Sequence, residues 1–514
     1  MLSKNNPQID IFSNMIFERL IPKEHLLVKI DSIIDFSFVY EMVKDKYSSV
    51  GRASKDPAMM LKICILEYLY NLSDGQVVNR IKTDVAFRWF LGLSIDDEVP
   101  DETTISYFRI KRLGEEYFDS FFNEIVKKCI ENDLVKSKRY LIDTTDVAAN
   151  VNYPFDRKLI CDAFRKVIRE IRKFNEKLAE QQLSDFENEI DTEYEKSEKV
   201  SVKQYLKIAQ KYAEHLYLKT YDELQVNERY KDAFGILWDI IDQYSNGKKD
   251  KIVSVVDPDA KVAHKSVGNI KRGYKNHIIV DEDSEIILAS IQTQFNVGDE
   301  KKLIELIEKT DKNLGLKPEE ITADKVYGIS LNRGYLKDNK IISNINVYEE
   351  SSKENIFYKI RDFKITDDVQ SATCPNQITT TNYAITYDKQ AKRETIKFKF
   401  DKKICEKCPL NDNCLKKNSK GKIHSGRYVV VPRRYDAVLH DLKRIDTEEF
   451  KEAMNKRYKV ERRFATMVRN HGLRRSRYLR LGGAKIHITL ANTACNIVRM
   501  VNLLCPPSFA TSQN

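Results

Sequence analysis

The sequence predicts an α/β protein in which a mixed sheet forms the core of a larger, partly helical chain. Apolar residues recur at helical spacing before residue 135, and short β-like runs alternate with helical runs between residues 136 and 350. A cysteine cluster lies in a β-rich stretch after residue 350. We therefore expect the sheet to carry a helical N-terminal domain, a helical-hairpin insertion and a small cysteine-containing β-rich insertion.

Length and charge limit the classes of protein to which the chain can belong. It has 514 residues, enough for two or three domains, with 87 Lys and Arg residues against 77 Asp and Glu residues. The net charge of +10 suits a polyanionic partner such as double-stranded DNA, and the bases concentrate near the C-terminus. No uninterrupted apolar run reaches the roughly 18 residues of a membrane span, so we expect a soluble, cytoplasmic protein without a membrane partner.

Residues 1–135 are predicted to form a helical N-terminal DNA-binding domain. Asp56 and Pro57 are typical of a helix start, and an apolar stripe follows them as far as Tyr70. The segment PDETTISYFRIKR predicts a polar, basic last helix with Arg109 and Arg112 exposed and facing DNA. Short helices that end in a basic one resemble a helix-turn-helix, although a plain helical bundle fits the same pattern.

A strand is predicted at RYLIDTTDVAAN, within residues 136–154, where the sheet core begins. Asp143 closes the apolar part of this strand. An acid in that position indicates either a solvent-facing sheet edge or a functional site. Asp146 lies three residues further on and competes with Asp143 for any role at such a site.

Residues 155–250 are predicted to form an inserted coiled hairpin of two helices. Apolar residues repeat at alternating spacings of three and four along each predicted helix, as in a coiled-coil seam. The two seams are Phe164, Val167, Ile171, Phe174 and Leu178, and Tyr205, Ala209, Tyr212 and Leu216. This segment carries no catalytic motif, so we expect it to contact a partner or DNA.

The sheet core is predicted to continue over residues 251–350. A β-hairpin comes first, followed by a helix, a short strand that ends at Asp324, a second helix and a last strand. Three antiparallel strands followed by parallel crossover units are the ribonuclease-H-like plan. In that plan the first and fourth strands are neighbours, so we expect Asp143 and Asp324 to lie close together.

Four of the nine cysteines cluster in the β-rich insertion predicted for residues 351–440. They are Cys374, Cys405, Cys408 and Cys414, and a Cys-x2-Cys pair with two further thiols suits tetrahedral Zn²⁺. The spacing is irregular for a zinc ribbon, so four reduced thiols remain the alternative to a structural zinc site.

Residues 441–505 are predicted to supply the C-terminal helices of the core. One of these helices places Glu461 alone among many bases, which fits either an ion-pair hub or a metal ligand beside bound phosphate. Together with Asp143 and Asp324, Glu461 would complete a pocket of three carboxylates. Hard oxygen ligands of this kind suit two Mg²⁺ or Mn²⁺ ions that act on a phosphodiester. The candidate phosphate contacts around it are Arg457, Arg462, Arg469, Arg474, Arg475 and Arg477.

Several of these motifs resemble those of bacterial insertion-sequence transposases of the DDE type, in the branch with a helical N-terminal domain and a cysteine cluster. IDTTDVAAN resembles the strand with the first catalytic Asp, which implies that role for Asp143. ITADKVYG resembles the family motif Ala-Asp-x-Gly-Tyr, which implies the second for Asp324, although Lys-Val-Tyr-Gly follows here. The segments GRASKDPAMMLKICILEYLYNLSDGQ, AFRWFLGL and PDETTISYFR also resemble the family's N-terminal domain.

The C-terminal signature of the family, Tyr-x2-Arg-x3-Glu-x6-Lys, aligns with Arg457 and Glu461. Two positions depart from it, because Met454 stands in place of the Tyr and Val468 in place of the Lys. Arg469, one residue beyond Val468, is the candidate substitute for that lysine.

The resemblance implies a transposase that binds the terminal inverted repeats of its own element. It further implies metal-dependent DNA cleavage and strand transfer, with two divalent ions held by Asp143, Asp324 and Glu461, in a synaptic complex formed by a homodimer. Two alternatives are a protein that binds DNA without catalysis and a ribonuclease-H-like nuclease without strand transfer.

Overall fold

The structure is a computed structural model that describes residues 9–48, 54–196, 201–247, 250–266, 269–347, 358–388, 393–416, 418 and 422–506. Residues 51–53 of the N-terminal motif and the expected boundary between residues 350 and 351 lie outside these ranges. None of the helices in the described ranges combines the length and the apolar character needed to span a bilayer.

The chain before the sheet is helical, as predicted. Its described helices are α1 (Ile11–Leu20), α2 (Leu26–Ile33), α3 (Phe38–Val43), α4 (Pro57–Leu69), α5 (Asp74–Thr83), α6 (Val85–Leu91), α7 (Glu102–Tyr107) and α8 (Glu115–Glu131). Short polar side chains start several of them, since Asp56, Ser73, Asp84 and Asp101 each accept a hydrogen bond from the first turn of the helix that follows. Helix α4 is buried along nearly its whole length.

A six-stranded mixed sheet forms the centre of the molecule. Its strands are β1 (Arg139–Ala148), β2 (Lys261–Ser266), β3 (Asn269–Asp281), β4 (Ile287–Gln294), β5 (Glu320–Ala323) and β6 (Ile342–Ile345). Strand β3 pairs antiparallel with β1, β2 and β4, whereas β5 pairs parallel with both β1 and β6. Strands β1, β3 and β4 form the predicted antiparallel part of the sheet and β5 and β6 form the predicted parallel part, while β2 adds a fourth antiparallel strand.

Strand β1 lies within the predicted segment and continues well past Asp143. It stays paired with β3 as far as Ala148, whereas its pairing with the shorter β5 ends at Ile142 and Ala323. Asp143 is therefore the first residue of β1 without a partner in β5, although it lies in the middle of the strand. The glycine opposite Ala148, Gly273, has a φ of 134°. A Cβ there would stand 2.4 Å from the carbonyl oxygen of Val147, so a side chain has no room.

The expectation of a two-helix hairpin between β1 and β2 is wrong. The described residues form α9 (Asp156–Ile171), α10 (Glu176–Lys196), α11 (Val202–Lys219), α12 (Tyr221–Val226) and α13 (Glu228–Ser245). These helices enclose a hydrophobic core of their own, to which α13 contributes Tyr230, Phe234 and Leu237. The two apolar seams that suggested a hairpin are real, but α13 packs against α9 as a further layer.

After the insertion come two helices and then a region with two small three-stranded sheets. The helices are α14 (Leu303–Leu314), which packs against β3 and β4, and α15 (Ser330–Asp338), which packs against β6. The small sheets consist of β7 (Lys364–Ile365), β8 (Ala372–Thr373) and β9 (Thr379–Thr380), and of β10 (Tyr383–Asp388), β11 (Arg393–Lys399) and β12 (Tyr428–Pro432).

Five helices complete the described chain: α16 (Lys402–Glu406), α17 (Tyr435–Leu442), α18 (Glu448–Asn455), α19 (Tyr458–Asn470) and α20 (Arg480–Leu504). Helix α20 is largely buried and packs against α4 and α8 on one side and β4 on the other. One continuous hydrophobic core therefore joins the N-terminal helices, α20 and the sheet.

Candidate active site

Asp143 and Asp324 lie next to each other, at the point where β1 and β5 stop pairing. Ile142 is paired with Ala323, and each aspartate is the next residue along its strand. Asp324 ends β5 and caps the short helical turn Lys325–Tyr327, whose first N–H donates to the Asp324 Oδ1 at 2.7 Å. The sequence-based expectation that these two acids are neighbours is thus met by the pairing of their strands.

The guanidinium of Arg457 reaches both aspartates. Its Nη2 lies 3.2 Å from Asp143 Oδ2, and its Nη1 lies 3.9 Å from Asp324 Oδ1. Burial raises the pKa of Asp143, and the charge of Asp324 adds to this rise, while the N–H of Thr144 and the guanidinium of Arg457 lower the pKa. Arg457 therefore offsets the repulsion between two carboxylates held close together.

Glu461 lies one helical turn beyond Arg457, near the start of α19 and with its side chain exposed. Residues four apart share one helix face, so Glu461 is on the side of α19 that carries Arg457. Its carboxylate has no hydrogen bond or ion pair to any residue that the structure describes. Within the same ranges no three His, Cys, Asp or Glu side chains are grouped to hold a metal ion. The oxygen donors fit a hard divalent cation by their chemistry, but only the two aspartates are side by side.

A chain of buried hydrogen bonds lies behind Asp143, and no sequence pattern indicated it. The Thr144 hydroxyl bonds to the Tyr327 hydroxyl at 2.6 Å and to His277 Nδ1 at 2.7 Å. His277 Nε2 continues the chain to the Thr293 hydroxyl at 2.9 Å. Burial, reinforced by nearby lysines, lowers the pKa of His277 to about 3 and keeps the ring neutral. The chain connects the residue after Asp143 to the turn that begins at Asp324.

Many bases of the C-terminal basic stretch are engaged in holding α19 in place. Lys456 Nζ pairs with Glu282 Oε1 at 2.9 Å, and Arg463 Nε pairs with the buried Glu285 at 3.0 Å. Arg462, a predicted DNA contact, also forms an ion pair with Glu285. The acidic turn between β3 and β4 thus anchors the helix, which the sequence did not reveal because the turn lies about 180 residues away.

The expectation that Arg109 is exposed to DNA is wrong. Its side chain is 1% exposed, because Glu67 and Asp74 pair with it at 3.0 and 2.6 Å and the ring of Tyr478 covers it at 4.4 Å. Arg112 donates to the carbonyl of Lys46 at 3.0 Å and is partly buried.

Arg477, another predicted DNA contact, is tied to the N-terminal helices instead. It donates to the Leu72 carbonyl at 2.6 Å and to Asn71 Oδ1 at 2.8 Å.

Arg469, Arg474 and Arg475 have exposed side chains without hydrogen bonds or ion pairs to the described part of the chain. The backbone of the last two is fixed beside the site, since the Ala148 N–H donates to the Arg474 carbonyl at 3.1 Å and the Ser476 N–H donates to the Ala148 carbonyl at 2.8 Å. These bonds extend β1 with a short parallel bridge and hold the two arginines at the end of the strand that carries Asp143.

Val468, at the position of the family lysine, packs against the hydrophobic core. It is seven residues from Glu461 and thus on nearly the same face of α19, whereas Arg469 is turned by about 80° from Glu461 around the helix axis.

The four clustered cysteines line one small cavity, together with Arg427. All four are free thiols and partly buried. Across the residues that the structure describes, however, no group of three metal-ligand side chains is placed to hold an ion, so structural zinc is not supported.

Two family models match the chain. A "Transposase domain (DUF772)" matches residues 15–111, and a "Transposase DDE domain" matches residues 373–501. The first match covers most of α1–α7, and the second covers the cysteine region, Arg457, Glu461 and nearly all of α20. Asp143 and Asp324 lie between the two matched segments. No solved structure matches the chain.

Proposed function

We propose that this chain, which the two family matches support as an insertion-sequence DDE transposase, binds the terminal inverted repeats of its own element and catalyses metal-dependent DNA cleavage and strand transfer there. The observation that carries this proposal is the pair of neighbouring aspartates, Asp143 and Asp324, with the guanidinium of Arg457 hydrogen-bonded to the first and 3.9 Å from the second. Two acids kept side by side at the end of a paired strand, beside exposed bases, suit chemistry on a phosphodiester.

The strand order supports a ribonuclease-H-like core. Strands β4, β3, β1, β5 and β6 follow one another across the sheet, with the first three antiparallel and the last two parallel to β1. In this arrangement an acid on β1 and an acid after β5 meet where the parallel pairing of the two strands ends, as Asp143 and Asp324 do.

Asp143, Asp324 and Glu461 are the proposed ligands of two Mg²⁺ or Mn²⁺ ions, the class of cofactor that DDE transposases generally use. When bound, such ions supply a strong electrophile for the phosphodiester and lower the pKa of the attacking hydroxyl. Asp143 and Asp324 contribute hard oxygen ligands held by their strands, and Glu461 contributes the third carboxylate from α19. Arg457 compensates the negative charge of the aspartates.

Arg469, Arg474 and Arg475 are the proposed contacts to the DNA backbone next to the aspartates, because their guanidinium groups are exposed and not engaged by described acids. Such contacts position the duplex without reading its sequence. We assign recognition of the element ends to the N-terminal helices. Because two ends must be cut together, we expect a homodimeric synaptic complex. Its place in the cell would be the cytoplasm, at the nucleoid.

Single replacements of the acids test the proposal. Purified Asp143→Asn, Asp324→Asn and Glu461→Gln variants are incubated with a labelled duplex that contains an element end, in the presence of Mn²⁺. We expect end binding to persist while cleavage and joined products disappear. Asp146→Asn is the matched control, since Asp146 lies on the opposite face of β1 and its carboxylate lies 3.6 Å from Lys271 Nζ.

Three results would contradict the proposal in different ways. Metal-dependent cleavage that survives in all three variants refutes the assignment of the acids. Cleavage without joined product in the wild type indicates a nuclease without strand transfer. Binding without any product indicates a DNA-binding protein that lacks catalysis.

A further inference from the structure

The inserted helices form a wide groove next to the first strand of the sheet. It has a volume of about 1220 Å³ and is lined by the loop 150–155, by one face of α9 and by residues 254–256. The loop 150–155 begins two residues after Ala148, the end of β1, so the groove starts close to the strand that carries Asp143. It contains none of the acids to which the proposed function assigns catalysis.

A stripe of bases runs along the groove on α9 and its C-terminal cap residue, Arg172. Lys158, Arg165, Arg169 and Arg172 are separated by seven, four and three residues, spacings that place them on one helix face. From the first to the last, this cationic stripe covers about 21 Å of helix.

Most of the stripe is not neutralised by the protein. Arg165 pairs with Glu187 at 2.9 Å. Lys158, Arg169 and Arg172 are exposed and have no acidic partner among the residues that the structure describes. Like charges one helical turn apart, such as Arg165 and Arg169, destabilise a helix. A polyanionic ligand offsets this cost.

The positive surface continues from the groove towards the aspartates. The guanidinium of Arg272 lies 4.7 Å from the ring centre of Tyr153, which is part of the loop that lines the groove. The charge of Arg475 also acts on Tyr153. The pKa of Tyr153 is raised, chiefly by burial, although the charges of Arg272 and Arg475 both act to lower it. The bases beside the end of β1 and the cationic stripe are therefore parts of one path.

We propose that the cationic stripe of α9 holds the phosphate backbone of the double-stranded DNA that extends away from the two aspartates. A duplex carries one phosphate per 3.4 Å on each strand, so 21 Å corresponds to about six base pairs. The open shape of the groove and the alignment of its bases on one helix face suit an extended polyanion. This inference rests on the proposed function for the position of the DNA, but it assigns a second contact surface outside the sheet.

The test compares two triple variants with equal loss of charge. Lys158→Gln/Arg169→Gln/Arg172→Gln neutralises the stripe. Lys203→Gln/Lys207→Gln/Lys219→Gln neutralises three exposed lysines of α11, which lie outside the groove and also have no acidic partner in the described ranges. Thermal melting of both variants shows whether the insertion remains folded.

Binding is measured by fluorescence anisotropy with a labelled duplex that spans an element end and its flank, in EDTA and over a series of salt concentrations. Each phosphate contact contributes about 0.9 to the slope of log K against log salt. We expect the stripe variant to lose about 2 to 3 units of this slope and the α11 variant to keep the slope of the wild type. A duplex shortened on the groove side by about six base pairs should reduce the wild-type slope by the same amount.

Equal slopes for the two folded triple variants would overturn the inference, as would a wild-type slope that does not change when the duplex is shortened. The measurement needs no cleavage, so it is separable from the proposed function. If the slope falls for the stripe variant but the wild type never cuts DNA, the stripe remains a DNA-binding surface and the transposase activity is refuted. If the wild type cuts DNA but the slope is the same for the stripe variant, the transposase activity stands and the stripe is refuted as a DNA-binding surface.

Discussion

The connection that follows Asp324 is held by a buried ion pair whose removal should be costly. Arg333 of α15 and Asp441 of α17 form this pair, with side chains 1% and 4% exposed. Arg333 also donates to the carbonyls of Gly328 at 2.9 Å and Asn346 at 2.9 Å. Arg333→Met would leave the Asp441 carboxylate without its buried partner. Breaking a buried pair from one side costs about 3–5 kcal/mol.

The same two helices offer a matched control at the surface. Arg434, which precedes α17, pairs with Asp338 of α15 at 2.7 Å, and these side chains are 35% and 60% exposed. Water screens such a pair, so Arg434→Met should cost no more than about 1 kcal/mol. Both substitutions remove a positive charge from the contact between α15 and α17. Arg333 is buried and also bonds backbone carbonyls, whereas Arg434 is partly exposed and also pairs with Asp436 at 3.2 Å.

Hydrogen exchange followed by mass spectrometry measures these costs locally, on peptides from α15 and α17, and avoids treating the whole chain as one cooperative unit. At 1.36 kcal/mol per factor of ten, Arg333→Met should lower protection by about 150- to 5000-fold, and Arg434→Met by no more than about 5-fold. Adding Asp441→Asn to Arg333→Met should recover part of the loss, because the unpaired charge is removed. Equal losses for the two arginines, or strict additivity with Asp441→Asn, would refute the reasoning.

Three further outcomes are expected. Tyr327→Phe removes one buried hydrogen bond to the threonine hydroxyl behind the site, so the melting temperature should fall by the equivalent of about 1 kcal/mol and half-maximal cleavage should need more Mn²⁺. His487 is buried, and chiefly this burial lowers its pKa to about 3. The folded state therefore favours the neutral ring, so the contribution of His487 to the free energy of unfolding is complete above the unfolded pKa near 6.5 and declines as the pH falls below it. Because of this residue, the free energy of unfolding should be about 2 kcal/mol lower at pH 5 than at pH 7, and melting curves of His487→Gln should show a smaller difference between the two pH values. Gly273→Ala should prevent soluble expression because its Cβ would collide with the backbone of β1, whereas Gly235→Ala in α13, where a Cβ meets nothing within 4 Å, should raise the melting temperature slightly.

The sheet and the proximity of its two aspartates were predictable because both follow from short-range sequence patterns. Alternating apolar residues locate a strand, and the order of strands and helices restricts which strands become neighbours. Asp143 and Asp324 are 181 positions apart in sequence and still end up adjacent through this rule.

The roles of individual bases were not predictable, because they depend on which distant segment covers each one. Arg109 looks exposed on its own helix, yet Glu67 and Tyr478 enclose it from two other parts of the chain. Arg462 similarly belongs to a strongly basic run, and the structure pairs it with Glu285 from a turn that carries no recognisable motif.

The inserted segment shows that sequence patterns are limited in the same way when they are used to predict the fold. Its seams at Phe164 and Tyr205 predict two helices that face each other, and both helices exist. A helix that packs as a further layer, such as α13, has an apolar periodicity similar to that of the two seam helices. Periodicity alone therefore does not show how many helices share one core.

Helix α20 has a mechanical consequence for the proposed reaction. Because it is buried between the N-terminal helices and the sheet, the described residues of these parts share one hydrophobic core. Turning the N-terminal helices relative to the aspartates would expose buried apolar side chains to water, which costs free energy. If the N-terminal helices bind a duplex as proposed, we therefore expect them to present it to the aspartates in one orientation, and we expect bending of the DNA to supply most of the adjustment to different ends.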